Sequence, residues 1–240
     1  MKIFSLSTKS KDLIIVSLVV LLSIFLILPY FKSGYFPTHD GEWAVVRLSE
    51  MFREVRDLQI PPRYSNVLNN GYGYPLFNFA YPFPYYVALI FKLIGFEFIT
   101  SIKIVFALTV PISGIGMYLF SKNLWKSRTG GFFSAVLYMF LPYRMVDLYV
   151  RGSIGESLVL ALIPYLLYFV IKIRISKYPL IFTSLVSLIL SSIILSHNIM
   201  AVYFVPIYIL LCLMFVVLYE KKYLLNFSIS TILGIGISAF

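Results

Sequence analysis

His39-Asp40-Gly41-Glu42 gathers an imidazole and two carboxylates within four residues, just beyond the first long apolar run of the chain. A carboxylate so placed can take a proton from a hydroxyl as a general base, or join the ligands of a divalent metal. It can also cap the helix that follows, with Glu42 as a first-turn partner of the helix dipole. A second set lies a hundred residues further on. Arg144, Asp147 and Arg151 recur at i, i+3 and i+7, one face of a helix, and Gly152-Ser153-Ile154-Gly155-Glu156 follows them. Two guanidinium groups can neutralise a phosphate and two carboxylates can hold a metal, but the same residues can equally form a surface ion-pair set. His197-Asn198 offers a helix cap, a donor to a phosphate or a metal ligand. Tyr74 stands in a stretch of tyrosines, phenylalanines and prolines, 69–86, that suits either an interfacial aromatic belt or sugar stacking.

The elements that must position these residues are apolar. With 60% hydrophobic and 12% charged residues and a mean hydropathy of +0.90, the chain falls outside soluble globular domains and inside multi-spanning membrane proteins. Its net charge of +10 comes from short basic groups between apolar runs, not from one basic face, which argues against a nucleic-acid binder. The one cysteine, Cys212, excludes a disulfide framework or CxxC metal site within the chain. Apolar runs at 13–31, 99–120, 130–148, 157–173, 180–196, 199–219 and 224–240 predict an all-α, polytopic bundle of about seven spans. The first lacks a small-residue cleavage site and reads as a retained span. Residues 83–96, only about 20 Å long as a helix, predict a half-inserted or interfacial helix. Residues 44–58 predict an amphipathic helix lying along the membrane surface, with Arg47, Glu50, Arg53, Glu54 and Asp57 off its apolar stripe and Pro61-Pro62 ending it. The last run is still apolar at residue 240, so residues 1–240 read as the N-terminal part of one longer transmembrane domain.

Basic residues orient the spans. If Lys2, Lys9 and Lys11 are cytoplasmic, the loops bearing Lys122/Lys126/Arg128, Lys172/Arg174/Lys177 and Lys221/Lys222 also fall inside. Residues 32–98 then form a long first external loop, and every residue singled out above shares the external face of a cell-membrane protein.

This layout resembles the GT-C superfamily of membrane glycosyltransferases. One span precedes a long external loop with an early acidic residue, a short surface helix precedes the second span, and the second external loop carries acids. Tyr149-Val150-Arg151-Gly152 with Glu156 looks like the arginine-glycine-acid run of oligosaccharyltransferase-type members, without their paired aspartates. Gly71-Tyr72-Gly73-Tyr74-Pro75-Leu76-Phe77-Asn78-Phe79, Leu141-Pro142-Tyr143-Arg144, Asp147 to Gly152 and Leu195-Ser196-His197-Asn198 look like a bacterial membrane-protein family labelled 6-pyruvoyl-tetrahydropterin synthase-related. A soluble pterin synthase needs a histidine zinc site, whereas this chain has only His39 and His197.

The superfamily resemblance implies transfer of a sugar from a polyprenyl-phosphate-linked donor to an external glycan, lipid or protein. Asp40 would be the base, and Arg144, Arg151, His197 and Tyr74 would bind substrate. A divalent metal, Mg or Mn, on Asp147 and Glu156 with Asp40 as a further ligand is the alternative way to neutralise the phosphate. A lipid or polysaccharide transporter or flippase, or a non-catalytic envelope-assembly protein, are the competing readings.

Overall fold

A computed structural model describes residues 7–239. It is 77% helical, with no strand among the described residues. The helices are α1 (Thr8–Ile27), α2 (Gly41–Arg56), α3 (Leu76–Phe79), α4 (Phe83–Ile94), α5 (Phe98–Trp125), α6 (Arg128–Met139), α7 (Pro142–Val146), α8 (Ile154–Ile175), α9 (Pro179–Ile194), α10 (Asn198–Leu218) and α11 (Tyr223–Ile237). Four segments are long and apolar enough to cross a membrane: α1 with its following turn, α5, α8 and α10. α4, α9 and α11 are shorter apolar helices of 12, 16 and 15 residues.

The run at 130–148 is not one helix. α6 stops at Met139, Leu141 is extended at ψ 134°, and Pro142 opens α7. Proline lacks the N–H that would continue α6 and disfavours helical backbone in the residue before it.

The long α5 is the hub of the bundle, packed on α1, α4, α6 and α8. Its contact with α8 depends on a missing side chain. A Cβ at Gly116 would fall 2.6 Å from the Tyr165 ring, so only glycine permits this approach. One core gathers Val19, Leu48, Met51, Tyr85, Ile102, Phe106 and Met139; a second gathers Val159, Leu190, Ile193, Tyr208 and Phe227. At one end of the bundle, Asp12 Oδ1 accepts from Tyr118 Oη at 2.7 Å and Arg128 Nε at 2.7 Å, and Oδ2 accepts from Lys122 Nζ at 2.6 Å. This staple joins the start of α1, the end of α5 and the start of α6.

The opposite end carries the long loop between α1 and α5, and here the surface-helix expectation needs correcting. α2 buries Ala44, Leu48 and Met51 against the core, but Glu50 and Glu54 are each only 3% exposed. The loop folds over that second face: Ser65 and Tyr74 exchange backbone hydrogen bonds at 2.8 Å, and Ser65 Oγ donates to Glu50 Oε2 at 2.5 Å. α2 is therefore covered on two sides rather than lying between lipid and water. It also ends at Arg56, before the prolines, with Leu58 at φ +62°.

Candidate functional site

The first loop is tied to the second through backbone. The Tyr30 hydroxyl, buried below the loop, donates to Leu148 O at 2.8 Å. Further on, His39 N donates to Val150 O at 3.0 Å and Asp40 N to Arg151 O at 2.8 Å. Residues Asp147–Arg151 form a π-type turn closed by Gly152 N to Asp147 O at 2.8 Å, with Gly152 at φ +67°. A Cβ on Gly152 would lie 2.8 Å from Thr38 Cβ and 3.1 Å from Gly41 N. Glycine is required here both for the left-handed backbone and for the approach of the two loops.

Asp40 occupies the cap position of α2 yet makes no capping bond. Thr38 Oγ1 does the capping, accepting from Gly41 N at 3.0 Å. The Asp40 carboxylate is exposed and has no hydrogen-bond or ion-pair partner among the described residues, and its charge acts on Arg151, His197 and Tyr81.

Beside it, Glu156 opens α8 with a side chain 4% exposed. Arg151 grips it with two nitrogens, Nη2 to Oε1 at 2.7 Å and Nη1 to Oε2 at 3.0 Å, the paired geometry that fixes a guanidinium most firmly. The Tyr143 hydroxyl donates to Oε2 at 2.5 Å. Burial, together with the bond to Glu156, holds the Tyr143 phenol up at about 12, so it stays a donor. His197 Nε2 stands 3.5 Å from Oε1, while its Nδ1 accepts from Met200 N at 3.3 Å and caps α10. That cap assigns the ring proton to Nε2, facing Glu156. Burial lowers the His197 pKa and Glu156 opposes the shift.

A cleft of about 670 Å³ adjoins this cluster and shares His197 as wall. Tyr81 stands 5.0 Å from His197 and stacks on Tyr85, centroids 6.0 Å apart at 11°. Arg47 lies over Tyr81 and donates through Nη1 to Tyr85 Oη at 3.2 Å. Trp43, Tyr74, Asn69 and Asn198 complete the rim.

The structure thus brings together Asp40, Arg151, Glu156 and His197, with Tyr74 across the cleft. Arg144 and Asp147 are elsewhere: they are 2% and 0% exposed, inside the bundle. Arg144 Nη2 donates to Thr109 O at 2.8 Å, and Asp147 Oδ2 accepts from Ser157 Oγ at 2.5 Å. The π-type turn is the reason the three residues do not share one face. Its i→i+5 bond widens the turn and rotates Arg151 outward while Arg144 and Asp147 face the core. Asp40, Asp147 and Glu156 also fail to converge as metal ligands, and no group of three His, Cys, Asp or Glu does so among the described residues. Glu156 is already engaged by Arg151, Tyr143 and His197, so this donor set does not fit a divalent ion.

Arg47, Tyr81, Tyr85 and Tyr143 are absent from the sequence-based site. Arg47 had a signal, since it follows Asp40 by seven residues and thus shares a helix face with the acid. Tyr143 had none, because its partner Glu156 lies across a turn whose π-type register the sequence does not show.

The chain is similar to a protein of Lactococcus lactis subsp. cremoris (strain MG1363) described only as uncharacterized, 23% identical over 233 residues. That match covers 93% of this chain and 38% of the relative, so the chain spans well under half of the protein it resembles. No solved structure matches it. A family model for the 6-pyruvoyl-tetrahydropterin synthase related domain, a membrane protein, matches residues 77–240, a stretch that includes Tyr81, Tyr143, Arg151, Glu156 and His197. The chain belongs to that family of membrane proteins.

Proposed function

We propose that this chain is the catalytic end of a GT-C-like membrane glycosyltransferase, moving a sugar from a polyprenyl-phosphate-linked donor to a hydroxyl of an external glycan, lipid or protein. The observation that carries the reading is the backbone pairing of Asp40 with Arg151, which sets an uncommitted carboxylate beside a cation gripped by Glu156. In a single displacement Asp40 takes the proton of the acceptor hydroxyl, and the hydroxyl oxygen bonds to the anomeric carbon. The bond from that carbon to the phosphate oxygen breaks, and the polyprenyl phosphate leaves with the electron pair. Arg151, partly exposed and held by Glu156, faces the departing phosphate, with His197 Nε2–H as a further donor. In this reading the charges of Asp40 and Arg151 carry the step without a metal.

The test is Asp40→Asn, assayed in membranes containing the protein with labelled polyprenyl-phosphate sugars. Because Thr38 supplies the cap, the variant should insert and melt like the wild type, yet lose at least about a hundredfold in transfer, the low end of general-base catalysis. Unchanged transfer would sink the assignment of Asp40.

In this reading the bundle crosses the membrane about seven times, the shorter α4 lying half-inserted, with its N-terminus cytoplasmic. In a background with Cys212 replaced by serine, single cysteines at Gly71 and at Val150, which is 47% exposed beside Gly152, should react with an impermeant external thiol reagent, and ones at Lys126 and Lys177 should not. A transporter or flippase is the second reading, favoured by the buried charged residues Arg144 and Asp147 inside the bundle. It predicts that Arg144→Gln stops lipid translocation while Asp40→Asn leaves it intact.

A further inference from the structure

The cleft beside the site has a chemistry of its own. Arg47 projects from α2 into its wall, and among the described residues no carboxylate lies within ion-pair distance of it. Its Nε is buried and finds no hydrogen-bond acceptor. A buried guanidinium donor left without a partner costs free energy unless something arrives to accept from it. The group best matched to a planar fork of N–H donors is a carboxylate or a phosphate.

The rest of the lining selects what carries that anion. Trp43 and Tyr74 are 56% and 42% exposed, presenting broad aromatic surface at the mouth. Asn69 and Asn198 also line the cleft, the Asn198 amide donating to Phe79 O at 2.9 Å. Leu68, Leu76, Phe79, Ala80 and Ile199 add apolar surface, so the wall offers flat apolar faces for the C–H side of a sugar ring together with amides for its hydroxyls. At about 670 Å³ the cleft has room for a short saccharide.

We infer that this cleft binds an anionic saccharide, a sugar unit bearing a carboxylate or a phosphate, with Arg47 on the anion and Trp43 against the ring. As a substrate subsite it rests on the transfer reading, because His197 and Tyr81 connect it to Asp40 and Arg151. The binding itself does not, and it is measured without turnover.

Residues 1–240 hold two tryptophans, Trp43 and Trp125, the latter at the far end of α5, and subtracting the same titration of Trp43→Phe assigns the emission change to Trp43. The purified protein in nanodiscs is titrated with trigalacturonic acid, glucose 6-phosphate, maltotriose, farnesyl phosphate and inorganic phosphate, following Trp43 emission. Trigalacturonic acid or glucose 6-phosphate should shift the emission at least about tenfold more tightly than maltotriose, the worth of one charge-assisted contact, and inorganic phosphate alone should not. Which of the two acts tells carboxylate from phosphate. Arg47→Gln should bring the charged ligand down to the affinity of maltotriose, and Arg47→Lys should restore part of it. Equal affinity for neutral and charged sugars, no response to any sugar, or a response to farnesyl phosphate only would each overturn the proposal. The wild-type comparison decides even if Arg47→Gln fails to fold. Loss of sugar binding with transfer still dependent on Asp40 would sink this inference and spare the transfer reading; the reverse would spare this one.

Discussion

Two clusters at opposite ends of the bundle are built from nearly the same parts. At one end Asp12 is held by Arg128, Lys122 and Tyr118; at the other Glu156 is held by Arg151, His197 and Tyr143. Each joins a carboxylate to an arginine, a tyrosine and a second basic group, and each ties together segments far apart in sequence. What differs is the surroundings. The Asp12 set has spent its groups on one another where three helix ends meet. The Glu156 set stands beside Asp40, a carboxylate with no partner among the described residues, and shares His197 with a cleft lined by Arg47 and exposed rings. A network of ion pairs does not by itself make a site; what sets the Glu156 end apart is an uncommitted carboxylate beside the network and a cleft that shares one of its residues.

The largest effect should come from removing the equivalent arginine at each end. Arg151→Gln is expected to cut transfer by about a hundredfold or more, the scale seen when one preorganised donor to a developing anion is lost. Arg128→Gln, which takes away the matching bond to Asp12, should leave transfer unchanged. Equal losses from the two variants would erase the distinction between site and staple. Next in size is Gly152→Ala. It forces a left-handed backbone on a residue with a Cβ and pushes that Cβ into Thr38, so it should cost about 1–3 kcal/mol in thermal unfolding and lower transfer as the two loops part. If the variant melts and transfers like the wild type, the loop pairing does not position Asp40.

How much of this arrangement the sequence disclosed depends on the range of the interaction that fixes each part. Spans such as α5 and α8 were legible because an apolar run long enough to cross a membrane is a local signal. α4 was legible as too short. The break at Leu141-Pro142 was written in the proline but masked by the apolar residues around it. Glu50 and Glu54 looked solvent-facing, because the loop that covers them is held by Ser65 and Tyr74, a pairing that helical periodicity does not encode. In the candidate site, Asp40, Arg151, Glu156 and His197 stood out by residue type, and the fold brings them together, whereas the placement of Arg144 and Asp147 turned on a π-type turn that only the fold reveals.

Glu54 supplies a third carboxylate environment that sharpens the comparison. Unlike Asp12 and Glu156, its oxygens find no side-chain partner among the described residues, and burial with Glu50 nearby, against the pull of the Arg63 backbone N–H, pushes its pKa up to about 7. A free glutamate titrates near 4.3, so between about 4.5 and 7 the folded chain holds a proton that the unfolded chain releases. Stability should therefore fall as pH rises through that window and level off above it. Glu54→Gln should flatten the fall and raise the melting temperature at pH 8. A pH-independent melting curve in the wild type would show that Glu54 is not buried as described.

The smallest effect is expected from Asp12→Asn, and its smallness is informative. The Asp12 side chain keeps 28% of its surface exposed, so its three bonds work against water and salt as well as against one another. Exposed pairs of this kind are worth no more than about 1 kcal/mol, and asparagine retains one acceptor for Tyr118 or Arg128. The variant should lose that much or less in unfolding, and raising the salt from 50 mM to 500 mM should shrink the gap between variant and wild type. Transfer should not change. If Asp12→Asn abolished transfer with the fold intact, the two ends of the bundle would be coupled through α5, and the functional unit would have to include the staple as well as the cleft.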